Sequence, residues 1–283
     1  PQHTSSAASD VYKRQVFKLL KIWLENDFSG YDWMSFFDAY KDAVNAGFED
    51  VIIAQRKQTK SSTIARQEVL LKIQCCPAIL QARQILSSLK SYQKRKWREV
   101  VWALMLATGR RQSEILCTAE FQATGDDYKV LFSGQLKKHG DDSAPYMIPV
   151  LVPSRLVVAG MKWLKSHGKR DCLTPVEVNS KYSKALSSKT KQLISDNFTV
   201  KAGDWSYMDN GDEKDLKTSL FLRHVYSLVC SQIYKGTQSI EEYLKAILGH
   251  NEVRGNNYNA SKTYSERVLI LDSTTALHKA IFN

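Results

Sequence analysis

Two arginine-bearing segments, a histidine and two tyrosines follow one another in an order that could carry out phosphoryl transfer. The first segment is Thr108-Gly109-Arg110-Arg111-Gln112-Ser113-Glu114-Ile115-Leu116 and the second is Leu222-Arg223-His224. The third is Leu248-Gly249-His250, with Tyr258 and Tyr264 downstream. Transfer of a phosphodiester passes through a crowded, highly charged phosphorane, so without a metal the fixed cations must come from side chains. Arginine suits that work, because its planar fork keeps its charge at every relevant pH and donates two parallel hydrogen bonds. A tyrosine phenol, with an ordinary pKa of about 10, attacks only when its neighbours stabilise the developing phenolate. Two further cations, Lys137 and Lys138, stand next to one another between the first and second segments. Taken singly, each segment also has an ordinary reading. Gly-Arg-Arg fits a helix N-terminus with surface arginines, Arg223-His224 a salt-bridged helix surface, Gly249-His250 a helix stop, and the two lysines a solvated turn.

Together the three segments resemble the active site of the tyrosine recombinases. Within that superfamily, Leu131-Phe132-Ser133-Gly134-Gln135-Leu136-Lys137 and Pro145-Tyr146-Met147-Ile148-Pro149 resemble the catalytic domain of the protelomerases, the telomere resolvases of linear replicons. The resemblance covers roughly Leu70 to the end of the chain. It implies that Arg111 and Arg223 hold the scissile phosphate, with Glu114 orienting Arg111. It implies too that Lys137, with Lys138 as its rival, protonates the departing 5′ oxygen from a mobile hairpin, and that His250 contacts the phosphate or helps take the nucleophile's proton. Asn259 stands where the commonest spacing puts the nucleophilic tyrosine. Ala260-Ser261-Lys262-Thr263-Tyr264 looks like the small-residue helical lead-in of the family, so Tyr264 is the preferred nucleophile and Tyr258 the alternative. One position departs from the pattern: three residues before Arg223, where the family commonly has His or Lys, stands Leu220. A leucine can neither donate to phosphate nor move a proton, so either Lys217 or His224 reaches in to compensate or the activity is weakened.

The reaction implied by the resemblance joins two protomers on a palindromic duplex, links each tyrosine to a 3′ phosphate, and seals each strand as a hairpin. Phosphotyrosine conserves the bond energy, so neither a metal nor another cofactor is implied. The alternatives are a conventional tyrosine recombinase or integrase and a catalytically inactive DNA-binding relative.

Composition agrees with a polyanionic partner. Forty Lys and Arg against 29 Asp and Glu give a formal charge of +11 over 283 residues. The runs Lys94-Arg95-Lys96 and Lys181 to Lys184 are candidate phosphate contacts, although such runs also serve as plain solvated faces. Five scattered cysteines lack the paired spacing of a zinc site and read as reduced thiols, and no apolar run is long enough to span a bilayer. The expected location is the cytoplasm of a bacterial host, the gene being the host's or a phage's.

These side chains need elements to position them. Residues 1–15 resemble translated adapter sequence and are set aside, which would leave the natural N-terminus missing. Residues 16–66 read as a helical DNA-binding domain and linker, with apolar residues at helical spacing from Val16 to Ala54. Residues 67–283 read as the catalytic domain. There, helical patterns cover Gln67–Leu89, Gln93–Ala107, Arg155–His167, Tyr182–Phe198, Leu216–Tyr234 and Ile240–Leu248. Strands at Tyr128–Ser133 and Tyr146–Val150 form a hairpin with Lys137 and Lys138 at its tip, and Gly203–Asp215 has loop composition. The expected class is α+β, mainly helical: a tyrosine-recombinase-like catalytic domain with a small antiparallel sheet, preceded by a helical domain.

Overall fold

The structure, a computed structural model, describes residues 38, 71–91, 93–136, 144–172, 174–209, 212–249 and 268–283. Lys137, Lys138, His250, Tyr258 and Tyr264 lie outside the described residues, as do the expected N-terminal helices apart from residue 38. The chain divides into two units, 1–63 and 64–283, and the second carries the elements below.

At its centre is α2 (Trp97–Thr108), in which every side chain from Val100 to Thr108 is buried. A helix apolar on all sides must be covered on all sides. Its coats are α1 (Cys76–Ser87), α3 (Ser154–Ser166), α4 (Pro175–Asn197) and α5 (Ser219–Tyr234). Gly109 ends α2 in the left-handed conformation (φ 65°), its N–H donating to Met105 O at 2.9 Å. Any side chain at Gly109 would collide with the ring of Tyr226 on α5, so glycine is required here both for the turn and for the close approach of α5. The same turn delivers Arg110 and Arg111.

Three small sheets surround this helical core. β1 (Leu71–Gln74) pairs antiparallel with β5 (Thr199–Ala202) and parallel with β8 (Val268–Ile270). β2 (Glu120–Ala123), β3 (Lys129–Ser133) and β4 (Tyr146–Pro149) form an antiparallel sheet, with Phe121 opposite Phe132 and Val130 opposite Ile148. β6 (Ser206–Asp209) and β7 (Asp212–Asp215) make a separate hairpin. α6 (Ile240–Leu248) follows α5, and α7 (Thr274–Phe282) closes the chain. β8 returns the chain to β1, where Cys75 N–H donates to Asp272 Oδ2 at 2.6 Å and Leu271 N–H to Ile73 O at 2.8 Å. Among the described residues no helix is long and apolar enough to cross a membrane.

The mainly helical character and the β3–β4 hairpin agree with the sequence pattern, while several details correct it. The expected helix from Gln67 gives way to β1 over Leu71–Gln74, where Leu71 and Ile73 point inward on a period of two, and α1 starts only where Pro77 can occupy its first turn. One sheet is mixed rather than antiparallel, because β8 comes from the far end of the chain. The expected Gly203–Asp215 loop contains the β6–β7 hairpin, with Asp209 opposite Asp212. The dipeptide between them is Asn210-Gly211, the composition a two-residue hairpin loop favours, a signal that Gly and Asp content conceals.

Candidate active site

The first arginine segment leaves α2 through Gly109 and widens into a π-type turn over Glu114–Thr118, closed by Ala119 N–H donating to Glu114 O at 2.7 Å. Such turns are rare and concentrate at functional sites. Here the turn buries Glu114 completely, its side chain 0% exposed, beneath Arg111. Arg111 donates to Glu114 twice, from its backbone N to Oε2 and from Nη1 to Oε1, both at 2.9 Å. The Arg111 side chain keeps 26% of its surface exposed while Glu114 orients its guanidinium.

Arg223, on the first turns of α5, is buried and donates from Nη1 to Gly109 O at 2.6 Å and from Nη2 to Leu248 O at 3.2 Å. One side chain therefore ties the second segment to the first and third. Thr218 starts α5, its hydroxyl accepting from Phe221 N. His224 is buried next to Arg223. Lys217 stands before the cap, its backbone N donating to Asp215 Oδ1 at 2.7 Å and its ammonium 5.9 Å from the Trp205 ring centroid. Leu220 is 47% exposed.

Arg110 is the residue that the sequence pattern missed. It is fully buried and donates from Nε to Thr108 O at 3.2 Å, from Nη1 to Tyr146 Oη at 2.9 Å, and from Nη2 to Ile247 O at 2.7 Å. Its guanidinium also stacks on Phe132, 4.7 Å from the ring centroid. Nothing in two adjacent arginines says which one turns inward; that depends on the cap at Gly109. Gly249, the left-handed end of α6 (φ 66°), presents its carbonyl to Gln135 Nε2 at 2.6 Å.

These contacts join the three motif segments and the base of the β3–β4 hairpin around one carboxylate. Burial pushes the Glu114 carboxyl upward, but the charges of Arg110, Arg223 and Arg111 outweigh it and hold the pKa below its ordinary value of 4.5. One carboxylate under the influence of three guanidinium charges leaves the cluster positive. The depressed value has a consequence for stability. A carboxyl whose folded pKa lies below its unfolded one stabilises the fold fully above the unfolded value, and that contribution is lost as pH falls through the folded value. Glu114→Gln should therefore lower stability at pH 7 by about 3–5 kcal/mol, the usual cost of removing one partner of a buried ion pair. It should also flatten the decline in stability below pH 4.5. Urea melts at pH 7 and pH 3 check both, and a variant as stable as the wild type at pH 7 would refute the central role given to this carboxylate.

The candidate phosphate-contacting lysines divide. α4 begins with Thr174 and Glu177 capping one another, and near its start Asn179 Oδ1 accepts from Gln112 Nε2 at 3.5 Å, which sets this helix beside Arg111. Lys184 is exposed. Lys181 is held by Asp171 at 2.6 Å, and that hydrogen bond pushes its pKa up to about 12. Arg95 and Lys96 are exposed on the single turn that opens α2, and Lys94 contributes its backbone to the same turn. Among the described residues no cluster of three or more His, Cys, Asp or Glu side chains is arranged to hold a metal ion.

Comparison with known proteins places this arrangement. Residues 70–264 match the family model of the telomere resolvase ResT/TelK catalytic domain. The protelomerase of Yersinia phage PY54 is 32% identical over 114 residues, 36% of this chain but 18% of the phage protein. The fold is similar to that of protelomerase TelK complexed with substrate DNA, with a TM-score of 0.60 and 18% identity over 80% of this chain and 42% of that one. It is also similar to selenomethionine protelomerase tela covalently complexed with substrate DNA, with a TM-score of 0.57 and 22% identity over 78% of this chain and 66% of that one. This chain thus spans only part of the length of its relatives. With the family model matching more than half of its residues, it belongs to the telomere resolvase ResT/TelK catalytic-domain family.

Proposed function

We propose that this protein is a telomere resolvase, which cuts a palindromic DNA duplex and rejoins the strands as closed hairpin ends. The observation that supports this best is the convergence of Gly109–Glu114, Arg223 and Ile247–Gly249 on one positive cluster, in a chain of the resolvase family. In the proposed reaction the Tyr264 oxygen attacks the scissile phosphorus and the bond to the 5′ oxygen breaks. His250 helps remove the phenol proton, while Lys137 gives a proton to the departing oxygen. Arg111 and Arg223 stabilise the charge on the phosphorane. The freed 5′ hydroxyl of the folded-back strand then attacks the phosphotyrosine, releasing tyrosine and sealing the hairpin. Two protomers act on the palindrome, residues 16–66 help grip the duplex, and the reaction takes place in the cytoplasm of a bacterial host without metal or nucleotide. Tyr258 is the alternative nucleophile and Lys138 the alternative proton donor. A conventional strand-exchanging recombinase would share every chemical step up to the phosphotyrosine. Exposed Leu220, standing where the family commonly has His or Lys, favours a second reading, an inactive relative that binds DNA and forms no adduct. Trapping covalent protein on a nicked suicide duplex separates the two.

Binding itself should be metal-independent and steeply weakened by salt, given the +11 formal charge. Each neutralised phosphate contributes a slope of roughly −0.9 in log K against log salt, so six to ten contacts would cost about 10³–10⁵ in affinity between 50 and 200 mM salt. A flat titration on duplex DNA would remove the nucleic-acid reading.

A further inference from the structure

Arg110, Tyr146 and Gln135 form a chain of hydrogen bonds that the catalytic roles above leave unused. Arg110 Nη1 donates to Tyr146 Oη at 2.9 Å, Tyr146 Oη donates to Gln135 Oε1 at 2.5 Å, and Gln135 Nε2 donates to Gly249 O at 2.6 Å. The second fork of Arg110 closes the circuit on Ile247 O at 2.7 Å. A hydroxyl that accepts from a cation becomes a better donor, and the chain runs in one direction from guanidinium to carbonyl, so each bond strengthens the next. The packing is equally committed. Tyr146 lies edge-on to Phe132, with ring centroids 5.5 Å apart, and Arg110 stacks on Phe132 as well. A side chain at Gly249 would collide with both Gln135 Oε1 and Tyr146 Oη, so only glycine lets the α6 end come this close.

The chain joins two places that must be set together. Gln135 stands two residues before Lys137, and its neighbour Leu136 N–H reaches Glu114 Oε1 at 3.4 Å. Thr118 Oγ1 donates to Gly134 O one residue earlier. Gly249 stands one residue before His250. Tyr146 begins the other strand of the lysine-bearing hairpin. We propose that the Arg110–Tyr146–Gln135 chain is a positioning clasp, which couples the base of the lysine hairpin to the backbone entering the third motif. Through it the proton donor is placed only when that backbone is in register. This inference rests on the proposed reaction, and none of the three residues need touch the substrate.

The test uses two variants that remove hydrogen bonds and keep shape. Tyr146→Phe deletes only the hydroxyl, and Gln135→Met keeps the length of the side chain, so the second carries the test if the first does not fold. The probes are two nicked suicide duplexes built on the palindrome that the protein selects from random duplex DNA. They are identical except for oxygen or sulfur at the 5′ bridging position of the scissile phosphate, and sulfur departs without needing a proton. Each variant should form adduct about tenfold or more slowly than wild type on the oxygen duplex, yet within about threefold on the sulfur duplex, with duplex affinity unchanged. An equal loss on both duplexes, or no loss on either, overturns the coupling, because a purely structural defect would not distinguish the two leaving groups. If the wild-type protein forms no adduct on either duplex, the proposed reaction fails and the clasp's role falls with it.

Discussion

Arg111→Ala should abolish cleavage while leaving duplex binding nearly intact. A preorganised donor aimed at the charge of the transition state is worth roughly 10²–10³ in rate, and far less in ground-state affinity. The geometry makes Arg111 the informative arginine of the three. Its removal leaves Glu114 facing Arg110 and Arg223, whose charges still lower the carboxyl pKa, so the buried carboxylate keeps compensation and the fold should persist. Arg223→Ala is a less clean experiment. Arg223 also satisfies the carbonyls of Gly109 and Leu248, and a buried group left without its partner costs roughly 1–3 kcal/mol. A loss of cleavage there would mix chemistry with destabilisation. Single-turnover adduct formation, with binding measured in parallel, decides the matter: an Arg111→Ala protein that forms adduct within a few fold of the wild-type rate would remove Arg111 from the reaction.

What could be read from the sequence, and what could not, follows from how far each signal travels along the chain. α2 was legible because an eight-residue apolar run, Val100–Ala107, followed by Thr-Gly fixes both a buried helix and its stop. The β3–β4 hairpin was legible by alternation, and α6 by its period and by the glycine at its end. β1, β5 and β8 were not. Each has only three or four residues, and their pairing joins positions more than a hundred residues apart, such as Ile73 with Val200 and Leu71 with Val268. No local period distinguishes so short a strand from the edge of a helix. The inward turn of Arg110 was hidden for a related reason: its partners, Tyr146 and Ile247, are 36 and 137 residues away. Resemblance to a motif names the residues that meet substrate. It does not name the groups that hold them.

Tyr264→Phe should bind duplex DNA and form no covalent adduct, whereas Tyr258→Phe should still form one. A phenylalanine keeps the ring and removes the only atom that can become the ester oxygen, so the expected loss is complete rather than graded. The fold frames the choice between the two tyrosines. The described residues that flank the segment carrying them are Gly249, whose carbonyl accepts from Gln135, and β8, which pairs with β1. Tyr264 stands four residues before that strand, after a small-residue run with helical composition, while Tyr258 sits amid Asn256, Asn257 and Asn259, which have loop composition. Peptide mapping of protein cross-linked to a suicide duplex identifies the linked residue directly. An adduct on Tyr258 would reverse the assignment without disturbing the reaction class. The product then tests the class. Wild-type protein given a linear duplex with its palindrome should yield two fragments whose strands snap back after denaturation, because each strand has been joined to its own complement. Recovery only of strands exchanged between separate duplexes would keep the phosphotyrosine chemistry and replace hairpin formation with recombination.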